Sequence, residues 1–187
     1  MKVLAVLGSP REQGNTRIMA REMLAAAQEA GAKTEAIYLN DLHITPCQAC
    51  LGCRGEDAQG CIYDDDMQPL YAKIRESKVL VLATPVYWWG ISAQLKTFID
   101  RWYAFGREKY RDLVGKKVVL VVAYGGNDPI LAGAGLVTRT VQDICNYVGM
   151  EFVGVVHLSA REEGEVLEKP EIIAQARQLG REVVGDQ

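Results

Sequence analysis

Several things are missing from this sequence, and each absence excludes something. No apolar run approaches the roughly 20 residues that a membrane span requires. The N-terminal run in MKVLAVLGSPRE carries one Lys and ends in a turn, too short for a secretory leader. Net charge is only −3, so the basic footprint of a nucleic-acid reader is lacking. Histidine occurs twice, as His43 and His157, in contexts that read as packed or surface positions rather than as metal ligands. Internal repeats, linkers and low-complexity tracts are absent too. The chain therefore reads as one domain spanning 1–187, with a cysteine-rich insertion at about 40–65.

What is there suits a sizeable core: 187 residues, 49% of them hydrophobic. Five short β-like runs alternate with helical patterns: Lys2–Leu7, Thr34–Leu39, Val79–Ala83, Lys117–Ala123 and Phe152–Leu158. The first, third and fourth are almost continuously apolar, as strands covered by helices on both faces are. Helical patterns fill Thr16–Ala30, Asp66–Ser77, Ser92–Tyr103, Leu136–Val148 and Pro170–Val184. This alternation predicts an α/β three-layer sandwich around a parallel sheet with right-handed crossovers. Two connections, Asn40–Asp65 and Ala104–Gly115, are longer than connection alone demands.

The first loop, Gly8 to Thr16, reads GSPREQGNT and runs into a helix. A helix N-terminus offers unpaired N–H groups and a positive dipole end, which together bind anions. Ser9 and Thr16 add hydroxyls, Asn15 an amide, and Arg11 a planar charged fork suited to phosphate oxygens. Gly14 is not followed by Lys-Ser/Thr, which excludes a Walker A loop, and G-x-G-x-x-G is absent. The acidic pair of a response-regulator receiver is also missing.

GSPR…GNT after the first strand, together with PVYWWGISAQLKTFIDR at Pro85–Arg101, resembles the flavodoxin-like NAD(P)H-dependent FMN reductases. The resemblance implies a five-stranded sheet in the order 2-1-3-4-5, with FMN at the carboxyl edge of the strands. It implies phosphate contacts at Ser9, Arg11, Gly14, Asn15 and Thr16. It assigns the flavin ring to Pro85, Val86, Tyr87, Trp88, Trp89 and Gly90, and to Tyr124, Gly125, Gly126 and Asn127 after the fourth strand. At least one of the three aromatics is expected to pack rather than touch flavin. No catalytic side chain is nominated, because the flavin carries the chemistry. A nicotinamide nucleotide, NADH or NADPH, is the expected donor, with a small molecule or protein as acceptor. A non-catalytic, flavodoxin-type electron carrier is the competing reading.

Five cysteines remain, and four lie close together as C-x2-C-x2-C-x7-C: Cys47, Cys50, Cys53 and Cys61. Such clustering argues for a reduced, cytoplasmic setting and against a disulfide framework. Compact runs of this type hold iron–sulfur clusters, and the segment resembles that of the iron–sulfur flavoproteins, which carry FMN and a [4Fe-4S] cluster. Zinc, or thiols without metal, are the other two readings. The resemblance further implies a homodimer or homotetramer, with ferredoxin as an alternative donor. Cys145, in a helical pattern, reads as an inert core thiol. Arg107, Lys109 and Arg111 form a basic loop, either solvated or facing a dinucleotide phosphate.

Overall fold

A computed structural model describes residues 1–185; the last two residues of the expected domain lie outside the described ones. Its strands are β1 (Lys2–Leu7), β2 (Lys33–Tyr38), β3 (Val79–Tyr87), β4 (Gly90–Ile91), β5 (Lys117–Tyr124) and β6 (Glu151–Ser159). Its α-helices are α1 (Asn15–Glu29), α2 (Met67–Glu76), α3 (Ala93–Asp100), α4 (Ala134–Val148) and α5 (Pro170–Gly185). The order along the sheet is β2-β1-β3-β5-β6, all parallel, with β4 paired antiparallel to β3. The α/β sandwich is as expected, and the order 2-1-3-4-5 is corrected to 2-1-3-5-6. The unforeseen β4 is a two-residue return after β3, so the later strands move up one number.

Alternation along the central strands builds two cores. Val3, Ala5, Leu7, Val79, Val81, Val119 and Val121 face α1 and α5. Leu4, Val6, Leu80, Leu82, Leu120 and Val122 face α2, α3 and α4. Both faces are buried, which explains why these strands read as unbroken apolar runs. Helix α1 meets α5 at Gly180, where a Cβ would stand 3.2 Å from the Met23 Cα and closer still to the Met23 carbonyl. Any larger residue there would push the two helices apart.

Two expected boundaries moved. The helix expected over Ser92–Tyr103 stops at Asp100 and tightens into a 3-10 stretch, Arg101–Glu108, which occupies much of the segment expected to be loop. Strand β3 continues past Ala83 to Tyr87, because Thr84 and Pro85 remain paired with β5. Cys145 is buried in the core as expected, and burial pushes its thiol up to about 11. Among the described residues no helix is long and apolar enough to cross a membrane.

Candidate functional site

Parallel strands all end at one edge, and the loops after β1, β3, β5 and β6 meet there around a cleft of about 230 Å³. The first loop is held tightly. The Gly8 N–H donates to the Ala83 carbonyl at 2.8 Å. A Cβ at Gly8 would lie 2.6 Å from the Ser92 hydroxyl, and one at Gly14 would lie 2.9 Å from the Ser9 hydroxyl. Ser9 accepts from the Arg11 N–H at 3.2 Å. Gly14 is the N-cap of α1 and offers no side chain, so the positive end of the helix opens into the cleft without a cap.

Ser9, Arg11, Gly14, Asn15 and Thr16 all line this cleft. Two of them have other duties. The Asn15 amide donates to the Glu162 carbonyl at 2.7 Å and accepts from the Val166 N–H at 3.0 Å. Its side chain is thus committed to anchoring the segment after β6. Arg11 donates to the Arg161 carbonyl at 2.8 Å and stands 3.9 Å from Glu163. Half its side-chain surface remains exposed, and it still borders the cleft.

The second loop is set by two buried polar residues that sequence reasoning passed over. The Thr84 hydroxyl accepts from the Ser92 N–H at 2.9 Å and donates to the Pro85 carbonyl at 2.8 Å. The Ser92 hydroxyl caps α3 by accepting from the Leu95 N–H at 3.3 Å. Pro85, Val86 and Tyr87 line the cleft; Trp88, Trp89 and Gly90 do not. The reason is the β3–β4 hairpin, in which Trp88 (φ +48°) and Trp89 (φ +61°) occupy the left-handed region. Such turns favour Asn-Gly, and a non-glycine residue there costs roughly 1–2 kcal/mol. Trp89 is secured by donating its indole N–H to the Leu131 carbonyl at 2.8 Å. Its backbone also packs on Gly133, where a Cβ would come within 2.8 Å of the Trp89 Cα. Trp88 is left 92% exposed.

The third loop contributes Tyr124 and Gly125, whereas Gly126 and Asn127 are not part of the cleft lining. Gly126 (φ +129°) accepts from the Ser159 hydroxyl and so serves the turn. The Tyr124 hydroxyl lies 3.3 Å from His157 Nδ1, and burial raises its pKa, with Asp128 adding to the effect. The cleft also takes in Ala160 and Arg161, which sequence reasoning missed. Their signal was positional: they follow a parallel strand whose end lies at the same edge.

A second constellation lies in the segment between β2 and α2. Cys47, Cys50, Cys53 and Cys61 all line one small, mostly apolar cavity, together with Tyr63, Arg101 and Tyr103. All four thiols are free; Cys47 and Cys50 are exposed and Cys53 is buried. Left-handed residues at Ala49 (φ +51°) and Leu51 (φ +59°) wind the chain between the first three of these cysteines. Burial is the main influence raising the Cys53 thiol. Among the described residues no three His, Cys, Asp or Glu side chains stand together as ligands of one metal ion.

The cavity rests on a buried ion pair. Arg101 is 1% exposed and donates to Asp65 at 2.6 and 3.2 Å and to the Thr45 carbonyl at 2.7 Å. Burial alone would raise the Asp65 carboxyl, but Arg101 and the N–H groups of Thr45 and Met67 outweigh it and leave it below the usual range. The expected basic loop has a local use: Arg107 donates to the Glu56 and Ala58 carbonyls and pins the cysteine segment. Arg54 stacks 3.9 Å above the Tyr103 ring from the other side.

The family model for NADPH-dependent FMN reductase matches residues 1–163. An iron–sulfur flavoprotein of Methanocaldococcus jannaschii is 43% identical over 101 residues, 54% of this chain and about half (51%) of that protein's length. The iron–sulfur flavoprotein of Methanosarcina thermophila is 31% identical over 82% of this chain and 78% of its own. The NAD(P)H:quinone oxidoreductase of Methanothermobacter marburgensis shares the fold, with a TM-score of 0.74 over 97% of this chain and 98% of its own at 19% identity.

Asn15 ties the start of α1 to the segment after β6. Asn15→Ala strands the buried Val166 N–H and should lower stability by about 1–3 kcal/mol in urea unfolding. A variant as stable as the parent would show that the tether to the segment after β6 carries no weight.

Proposed function

Because the chain belongs to the NADPH-dependent FMN reductase family, we propose that the sheet-edge cleft holds FMN and that the protein is a flavin oxidoreductase fed by a nicotinamide nucleotide. The observation that carries this is the uncapped N-terminus of α1, opening into a cleft walled by Ser9, Arg11 and Thr16 at one end and by Tyr87, Tyr124 and Gly125 at the other. The first set supplies N–H, hydroxyl and guanidinium donors for a phosphate. The second supplies an aromatic wall and a position without a side chain, suited to a flat ring. FMN, when bound, supplies the hydride-accepting ring and couples two-electron to one-electron transfer. The chain's own residues bind and orient; Thr84 and Ser92 fix the exit of β3 before any ligand arrives, so little reorganisation accompanies binding. No side chain in the cleft is required as a general acid or base.

For the cysteines, the [4Fe-4S] reading is preferred over zinc. A lone zinc ion draws four thiolates to about 2.3 Å from one point. A cluster interposes its own irons and sulfides, so it does not require the four thiols that line this cavity to converge on one point. Ferredoxin then joins the nicotinamide nucleotide as a candidate donor. A reduced, cytoplasmic setting is part of the same reading.

A second copy of the chain is the proposed cover for the apolar surface beside the cleft. Trp88, Ile130, Leu131 and Leu136 are 92, 74, 75 and 56% exposed. They are linked through the Trp89 bond to Leu131. Contiguous apolar surface of this kind beside a site marks an interface.

Three measurements test these readings. Steady-state oxidation of NADH and NADPH, with FMN, menadione or ferricyanide as acceptor, should show turnover; none with either nucleotide would favour an electron carrier. Arg11→Ala removes a charge-assisted contact of about 1.5–3 kcal/mol and should weaken FMN retention roughly 10- to 100-fold while the domain stays folded. Full flavination of that variant would remove Arg11 from the phosphate site. Sedimentation should give a dimer or tetramer that Trp88→Ser shifts toward monomer, and a monomeric parent protein rejects the interface.

A further inference from the structure

We infer that Arg101 is a positioning residue for the four-cysteine centre, donating its Nε–H to sulfur and raising the reduction potential of the cluster held there. The inference rests on the iron–sulfur reading of Cys47, Cys50, Cys53 and Cys61. It goes beyond that reading in assigning a role to a residue outside the cysteine segment.

The guanidinium has five N–H donors, and the pattern of their use is informative. Nη1 serves both the Thr45 carbonyl and Asp65, at 2.7 and 2.6 Å, and Nη2 serves the other Asp65 oxygen at 3.2 Å. Nε has no partner among the described residues, although it is buried. Buried N–H groups are almost always paired, so an orphan at a site calls for an acceptor that the protein alone does not supply. Arg101 lines the small cavity that all four thiols also line. The acceptors that a four-thiolate cluster would bring into this cavity are sulfurs.

The geometry also says what kind of influence this is. Asp65 neutralises the guanidinium charge from the side of the chain at Thr45 and Met67. The pair is therefore a fixed dipole rather than a free positive charge, with the buried Nε left over as a donor. Hydrogen bonds to sulfur stabilise the more negative, reduced state of a cluster and raise its potential. Tyr71 adds rigidity, since its buried hydroxyl donates to the Arg101 carbonyl at 3.1 Å. The ring of Tyr63 lies 5.6 Å from the guanidinium carbon and helps to close the cavity. Lysine would keep the charge, but its single ammonium has no second, fixed donor to offer while it satisfies Asp65.

The test uses the full chain, purified anaerobically with its flavin, as the parent protein, as Arg101→Lys and as the charge-balanced double variant Arg101→Gln with Asp65→Asn. The double variant leaves no buried charge unpaired and serves if Arg101→Lys does not fold. Iron and acid-labile sulfide, FMN content, thermal unfolding and the midpoint potential of the cluster are measured for each. The expected result is iron and sulfide in equal amounts in the parent, and a more negative cluster potential in the folded variants, with FMN content unchanged. Loss of packing alone would lower the melting temperature without moving the potential. Folded, iron-loaded variants with the parent's potential would overturn the role of Arg101 and leave the cluster standing. A parent protein without iron and sulfide would overturn the cluster reading and, with it, this one.

Discussion

All the long strands run in one direction, and this constraint places both chemical constellations. In a parallel sheet each strand must be followed by a crossover before the next begins, so every carboxyl end emerges at the same edge. Loops from Gly8, Pro85, Tyr124 and Ala160, far apart in sequence, therefore converge without any direct attraction between them. The same directionality sends the chain from the end of β2 back to α2, and this return contains the cysteines. What makes the constraint firm is burial on both faces: a slip of one residue in β3 would exchange Val79, Val81 and Ala83 for Leu80 and Leu82 between two differently shaped cores.

On that frame the edge is held by a few buried polar groups, each with its hydrogen bonds accounted for. Thr84 and Ser92 are fully buried and bond to each other's neighbourhood across the β3–α3 turn. Asn15 joins the start of α1 to the segment after β6. Buried groups of this kind add little net stability when paired, but leaving one unpaired is costly. Their effect is to select one loop arrangement out of many. A cleft whose walls are set in this way binds with less loss of freedom than one that must be organised by its ligand.

The fold was highly legible because the central strands are so apolar: VLVLA and KVVLVVA admit few readings once turn residues bound them. The first wall of the cleft was legible for a local reason, since strand, turn and helix N-terminus lie in one stretch from Lys2 to Thr16. The misses are non-local or conformational. Asn15 bonds to residues 147 and 151 positions away, and nothing in GNT announces it. Arg101 and Asp65 are 36 positions apart, and nothing in either stretch announces the pairing that supports a cavity. Trp88 and Trp89, assigned to the ring by resemblance, stand in a left-handed turn, and two tryptophans in sequence carry no turn signal.

Two arginines show how burial decides what one residue type contributes. Arg11 keeps 48% of its side chain in solvent, so its charge is screened, and one of its N–H groups is spent on the Arg161 carbonyl. Arg101 is 1% exposed and tightly held; its charge is already matched by Asp65, and its Nε bonds nothing among the described residues. Replacing the buried pair with apolar residues of similar volume need not reduce stability. Stability alone therefore gives little reason for an ion pair beneath four thiols. A reason does follow if the cavity is meant to accept negative charge: an apolar lining would resist that charge, and a solvated arginine would be a weak and movable donor. A guanidinium held by Asp65, Thr45 and the Tyr71 contact to its own carbonyl is neither.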